Sequence, residues 1–151
     1  MTDISPNFPA TEWACHSGEP LPLELYPAAQ RHAAAILEPL RSKLGNRPVH
    51  LMSAYRTPAY NHSCGGEPRS YHMGRVDECA QATDIQVHAY TDANGVTHPA
   101  LTPEAVHAEL LLLLPHGSGG LGLYDTFCHV DLGARKWRGD KRTNNKGGAN
   151  A

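Results

Sequence analysis

The chain has 151 residues, 40% hydrophobic and 19% charged, a balance that suits one domain with a single core and excludes an extended disordered polymer. Its formal charge of −2 is lopsided: six Lys or Arg against one Asp from Ala134 onward give +5 there and leave −7 on residues 1–133. A basic tail on an acidic body could touch an anionic polymer or a membrane surface. A solvated, disordered terminus is the preferred reading because TNNKGGANA has no apolar residue above Ala, and no nucleic-acid partner is expected. No stretch approaches the ~18 apolar residues of a membrane span, so no stable membrane insertion is expected.

Residues 1–22 are Pro-rich and polar and read as an arm that packs Trp13 on the body. Cys15 and His16 are adjacent there, but no second pair completes a metal tetrahedron. Leu23 to Leu44 is the first predicted helix, with Ala29, Ala33, Ile36, Leu37, Leu40 and Leu44 near a 3.6-residue period. Pro39 should kink or split it, Gly45 ends it, and His32 is expected to face solvent. Pro48 to Tyr55 reads as a strand and Pro58 to Gly74 as a long loop. Ala82 to Tyr90 is a second strand, with Ile85, Val87 and Ala89 inward and His88 outward. Asn94-Gly95 marks a turn. Thr102 caps a second helix that runs to Leu114, ends at Pro115 and buries its Leu run. Gly119 to Leu132 is a final strand or hairpin, its glycines permitting a bend. Cys15, Cys64, Cys79 and Cys128 lack the spacing of a four-thiolate zinc site. Cys64 and Cys79 could pair in an exported product, whereas free thiols are expected in a cytosolic one.

The chemistry concentrates in three places. His72, Asp84 and His129 lie on separate segments and supply two imidazoles and a carboxylate, the ligand set of an open zinc site that keeps a fourth position for water. His129 and Asp131 are two apart on a strand and share a face, so Asp131 either orients His129 or serves as general base. Asp125, four residues before His129 and of the same strand parity, is the other candidate base, with a turn-capping role as its alternative. Arg56, at the end of the first strand, offers a planar fork for a carboxylate or a developing oxyanion. Ser70 supplies a hydroxyl to a substrate carboxylate or to its own loop.

Ser53-Ala-Tyr-Arg56-Thr-Pro-Ala-Tyr-Asn61, Gly65-Gly66, Ser70-Tyr-His72-Met-Gly74, Ala82-Thr-Asp84-Ile and Phe127-Cys-His129-Val-Asp131 follow one another in that order. The series resembles the zinc D-Ala-D-Ala carboxypeptidase and peptidoglycan endopeptidase family, with the Hedgehog/DD-peptidase fold. The Trp-Ala-Cys-His opening and the Arg-Lys-Trp-Arg ending extend the resemblance from about Glu12 to Trp137 and point to the small single-domain branch. The resemblance implies Zn2+ held by His72, Asp84 and His129. Arg56 would polarise the scissile carbonyl or hold a substrate carboxylate, and Ser70 would help bind substrate. One departure stands out. The family spacing of seven from His to Asp becomes twelve between His72 and Asp84, as if five residues were inserted in GRVDECAQATD. Asp77 is therefore a rival ligand; Asp84 is favoured because it begins an alternating strand and keeps the Ala-x-Asp-Ile context.

The resulting expectation is an α+β domain over residues 1–137, an antiparallel sheet with helices packed mainly on one face, followed by a disordered basic tail at 138–151. Its function would be zinc-dependent hydrolysis of an amide bond in peptidoglycan stem peptides or cross-links, by a monomer. The rivals are a non-catalytic module that binds peptidoglycan or peptide, which an insertion beside a metal ligand favours, and a metal-free phage structural subunit. MTDISPNFPATEW has neither the basic nor the apolar part of a secretory signal, which suggests a phage or prophage lysis protein made in the cytoplasm and acting on the wall.

Overall fold

A computed structural model describes residues 3–114 and 118–143. Five strands form the main sheet: β1 (His50–Ser53), β2 (Ala82–Gln86), β5 (Gly120–Leu123), β6 (Cys128–Asp131) and β7 (Trp137–Asp140), in the order β1-β2-β6-β5-β7. The short strands β3 (Tyr90–Thr91) and β4 (Thr97–His98) pair in a separate hairpin around Asn94-Gly95.

Two-residue alternation sorts the sheet into two faces. Thr83, Ile85, Leu121, Leu123, Cys128 and Val130 are buried on one face and belong to the core. The helices pack there: α4 (Pro103–Leu113) touches β5 and β6, and α1 (Tyr26–His32) reaches β2 through a hydrogen bond between His32 Nε2 and Thr83 Oγ1 at 2.9 Å. Asp84, His129 and Asp131, with Gly120 and Gly122 beside them, occupy the other face. That face is free of the helical layer, and the site sits on it.

Several expectations need correction. β7 runs parallel to β5, so the sheet is mixed rather than purely antiparallel. Arg138, Gly139 and Asp140 are therefore sheet residues, and the body does not stop at Trp137; residues 144–151 of the expected tail lie outside the described residues, as does Pro115. The first helix is unbroken from Leu23 to Lys43. A π-helical stretch over Ala33–Leu37, in which Glu38 N–H reaches back to Ala33 O, precedes Pro39 and absorbs its missing donor and ring within the helix, before α2 (Glu38–Lys43) continues. The presumed loop after Pro58 begins with α3 (Pro58–Ser63), because Thr57 Oγ1 accepts from Tyr60 N–H and Pro58 suits the first helical turn.

His32 is fully buried rather than solvent-facing. It lies on the same stripe as Ala29, Ala33 and Ile36, with its ring edge-on to Trp13. Burial pushes its pKa down to about 3, so the imidazole is neutral in the fold. Ala89 is exposed because β2 ends at Gln86 and only Val87 continues, bridging to Leu101. Of the Leu run in α4, Leu110 and Leu114 are buried while Leu111 and Leu112 are exposed, as one face of a helix dictates. All four cysteines are free.

Candidate metal centre and cleft

Antiparallel pairing places Asp84 directly opposite His129, and the same row across the sheet includes Ser53 before Asp84 and Gly122 after His129. His72 arrives from outside the sheet, on a 3₁₀ turn over Tyr71–Met73. Ser70 caps that turn, its Oγ accepting His72 N–H at 3.1 Å, and Arg56 N–H donates to His72 O at 2.8 Å, tying the turn to the end of the first strand. His72 Nε2 and His129 Nδ1 converge on Asp84 Oδ1, at 3.2 and 3.1 Å.

Each imidazole is oriented from behind. His72 Nδ1–H donates to Ala54 O at 2.7 Å, which leaves Nε2 as the free lone pair. His129 Nε2–H donates to Asp131 Oδ2 at 2.7 Å, which leaves Nδ1. Asp131 is itself fixed, because its Oδ1 accepts N–H bonds from Gly120 at 3.2 Å and Gly133 at 2.9 Å. A Cβ at residue 120 would stand 2.5 Å from Asp131 Oδ2, and one at residue 122 would stand 2.6 Å from the Trp137 ring. The glycines of β5 thus make room for side chains rather than bend the strand. Without metal, burial disfavours charge on His129, but the hydrogen bonds with Asp131 and Asp84 prevail and push its pKa up to about 9. Burial opposes the Asp84 charge as well, yet the electrostatic interaction with His72 and the hydrogen bonds from His129 and His72 hold its carboxyl well below the usual range.

The profile of the peptidase M15 family matches residues 10–131. The chain belongs to the peptidase M15 family. No curated protein and no solved structure matches it at a significant level. M15 peptidases are zinc-dependent metallopeptidases, and this chain's donor set fits that ion. The three ligand atoms lie within 4.8 Å of one another. The two ring nitrogens stand 3.1 and 3.2 Å from Asp84 Oδ1, close to the ~3.3 Å between neighbouring ligands of a tetrahedral ion with bonds of ~2.0–2.1 Å.

The inserted residues do not disturb the centre of this M15 peptidase. Arg75 and Ala80 bridge each other and close the insertion into its own loop. Glu78 pins that loop by accepting from Tyr71 Oη at 2.6 Å and Ala134 N–H at 2.8 Å. Asp77 is on the loop's outer side, its side chain 78% exposed and 3.7 Å from Arg75 Nε. The structure brings Asp84, not Asp77, to the histidines.

The centre lies in a cleft of about 920 Å³ whose walls include Arg56, Ser70, Tyr124, Phe127 and Asp131. Arg56 Nη2 is 3.6 Å from Asp84 Oδ2, and Nη1 donates to Asn61 Oδ1 at 3.2 Å. A side chain at Gly66 would collide with both Asn61 and Arg56, which gives Gly66 a steric purpose, whereas Gly65 has open space around it and a positive φ of 73°. Asp125 is not part of the cleft. Residues 124–127 form the turn between β5 and β6, so strand parity with His129 does not carry through it, and the exposed Asp125 carboxylate accepts Thr143 N–H at 3.0 Å. Sequence reasoning also missed residues. His16, assigned to the arm, borders the cleft, with its Nε2–H donating to Met52 O at 2.7 Å and its ring stacked on Tyr60. Trp137 sits edge-on to His129 with ring centroids 5.8 Å apart. The glycine at every second position of Gly120-Leu-Gly122 was the available signal for it.

Proposed function

We propose that this M15 peptidase hydrolyses an amide bond in peptidoglycan stem peptides or their cross-links. The observation that carries the reading is the convergence of His72 Nε2, His129 Nδ1 and Asp84 Oδ1 at the wall of an open cleft, beside the Arg56 guanidinium. The ordered Ser-x-His and His-x-Asp motifs supply the peptidoglycan part of the reading. A stem peptide is short and polar, and a cleft of about 920 Å³ with Arg, Lys, Ser and Asp in its lining suits such a ligand.

Zinc, when bound, supplies Lewis-acid polarisation and a nucleophile at neutral pH. The chain's own residues position it and the substrate. Asp131 holds the Nε2 proton of His129 and so keeps Nδ1 available as a ligand. Ala54 O does the same for His72. Arg56, held by Asn61 and Asp84, presents its remaining N–H groups to the oxygen on which charge develops. Ser70 uses its oxygen to cap the turn of His72 and retains a hydroxyl proton for a substrate carboxylate or carbonyl. Asp131 already accepts three N–H groups, which favours the role of orienting His129, and Asp125 lies outside the cleft, so the general base is assigned to neither.

Arg56→Ala tests the assignment. If Arg56 interacts more strongly with the transition state than with bound substrate, kcat falls roughly 10²–10³-fold while zinc content stays at the wild-type level. Arg56→Lys restores part of the loss, since an ammonium keeps the charge but not the fork. A loss confined to KM would instead assign Arg56 to gripping a substrate carboxylate.

A further inference from the structure

The positive excess at the end of the chain is not all tail. Arg135, Lys136 and Lys141 line the same cleft as the metal centre. β7 puts them there by adding parallel to β5, which brackets the strand between Lys136 before it and Lys141 after it. Two internal anchors hold this wall. Arg138 donates to Gly119 O and Ser118 O, each at 2.9 Å. Arg135 lays its guanidinium over the Tyr71 ring at 4.5 Å and donates to Arg69 O. Arg142 pairs with Asp140 and Glu104.

Lys136 and Lys141 differ from these neighbours. Neither ammonium group meets a carboxylate among the described residues, although the body around them is acidic overall. An edge strand often carries lysine simply to stay soluble and unpaired. Here, however, both lysines border the catalytic cleft. Lys141 also has the strand parity of Trp137, whose ring reaches His129. At ~3.3 Å per residue the two lysines span on the order of 16 Å along the wall, a few peptide residues of an extended ligand.

We propose that this wall binds a substrate carboxylate, so that the enzyme selects anionic peptides bearing a free carboxylate one to a few residues from the bond that is cut. The inference rests on the peptidase reading of the cleft. It adds a preference within that reading: stem peptides whose D-Glu α-carboxyl is free are taken over those in which it is amidated. Lysine is a flexible point charge suited to a carboxylate whose position varies between substrates, and binding through exposed ammonium groups is strongly screened by salt.

The test uses Ac-L-Ala-γ-D-Glu-L-Lys-D-Ala-D-Ala and its D-Glu α-carboxamide. Binding is read from tryptophan fluorescence in the metal-free protein, where no turnover competes; Trp13 is wholly buried, so Trp137 is the reporter. Hydrolysis is read in the zinc-loaded protein. The carboxylate peptide is expected to bind and react up to about fivefold better, the size of one exposed ion pair with whichever lysine the carboxylate reaches. Lys136→Ala/Lys141→Ala removes that preference, Lys136→Arg/Lys141→Arg retains it, and 0.5 M salt (roughly 4 Å screening) suppresses it. Equal affinity for the two peptides, or a preference that survives loss of both lysines, overturns the proposal. So does lysine-dependent binding of polyphosphate or of anionic phosphatidylglycerol vesicles without carboxylate discrimination, which would assign the wall to a polyanionic surface. Lysine-dependent binding without hydrolysis of either peptide would leave the carboxylate wall standing and remove the peptidase reading instead.

Discussion

Asp131→Asn isolates what a buried carboxylate does for a metal ligand two residues away. The substitution keeps the volume, so no cavity opens. Asp131 Oδ1 accepts the N–H groups of Gly120 and Gly133 while Oδ2 accepts His129 Nε2–H. An asparagine that keeps its oxygen on the two backbone donors must turn its NH2 toward His129, where donor meets donor. The imidazole escapes by moving its proton to Nδ1, the atom aimed at Asp84, and Nδ1 then has no lone pair for metal. The flipped amide instead sets its NH2 against two buried N–H groups, at about 1–3 kcal/mol for each one left unpaired. Either way zinc affinity should fall by at least the ~10–100-fold typical of losing such a partner. Competition against a chelator of known affinity measures it, and a thermal melt of the metal-free protein separates the flipped-amide penalty from the tautomer effect. Zinc affinity within twofold of wild type, combined with collapsed peptide hydrolysis, would refute the positioning role and make Asp131 a proton acceptor in the reaction.

Asp84→Ala should abolish zinc binding while Asp77→Ala changes it less than twofold, because β2 presents Asp84 rigidly to both histidines and Asp77 is exposed on the insertion loop; zinc titrations of the two variants decide it, and the reverse ranking would contradict the site. His32 makes the fold acid-labile. Its folded pKa of about 3 lies below the ordinary 6.5, so between those values the unfolded chain takes a proton that the folded chain refuses. Stability from this group is complete above pH 6.5 and declines as pH falls toward 3, by up to ~1.4 kcal/mol per pH unit. Urea midpoints at pH 7, 6, 5 and 4 should show a shallower decline for His32→Gln than for wild type, and parallel curves would show that His32 is not the titrating group.

Much of this site is written in short-range pattern. The alternation in Ala82-Thr-Asp84-Ile and Cys128-His129-Val-Asp131 separates core from site residues on both strands, and antiparallel pairing then brings Asp84 and His129 together. What escaped the sequence depends on pairing between distant segments. Nothing local tells Trp137-Arg-Gly-Asp140 to join β5, since the Arg and Lys residues that flank it resemble a solvated tail; the pairing depends on Gly122 and Gly139, which make room for the Trp137 ring. His32 reads as exposed because it lies on a helix of Ala and Arg, but its partner Thr83 lies 51 residues away. Asp125 failed for the opposite reason: parity was extended through a turn, where it does not hold.

The central claim is that His72, Asp84 and His129 hold a catalytic zinc for peptide hydrolysis. The direct measurement is elemental analysis of the purified protein alongside digestion of purified peptidoglycan of several wall chemotypes, with new amino and carboxyl termini quantified, for wild type and for His72→Ala and His129→Ala. The expected result is one zinc per wild-type chain, new termini released from at least one wall type, and loss of both zinc and cleavage in each variant. Near-normal zinc in both variants, or a zinc-loaded wild type that releases no termini from any wall, would contradict it.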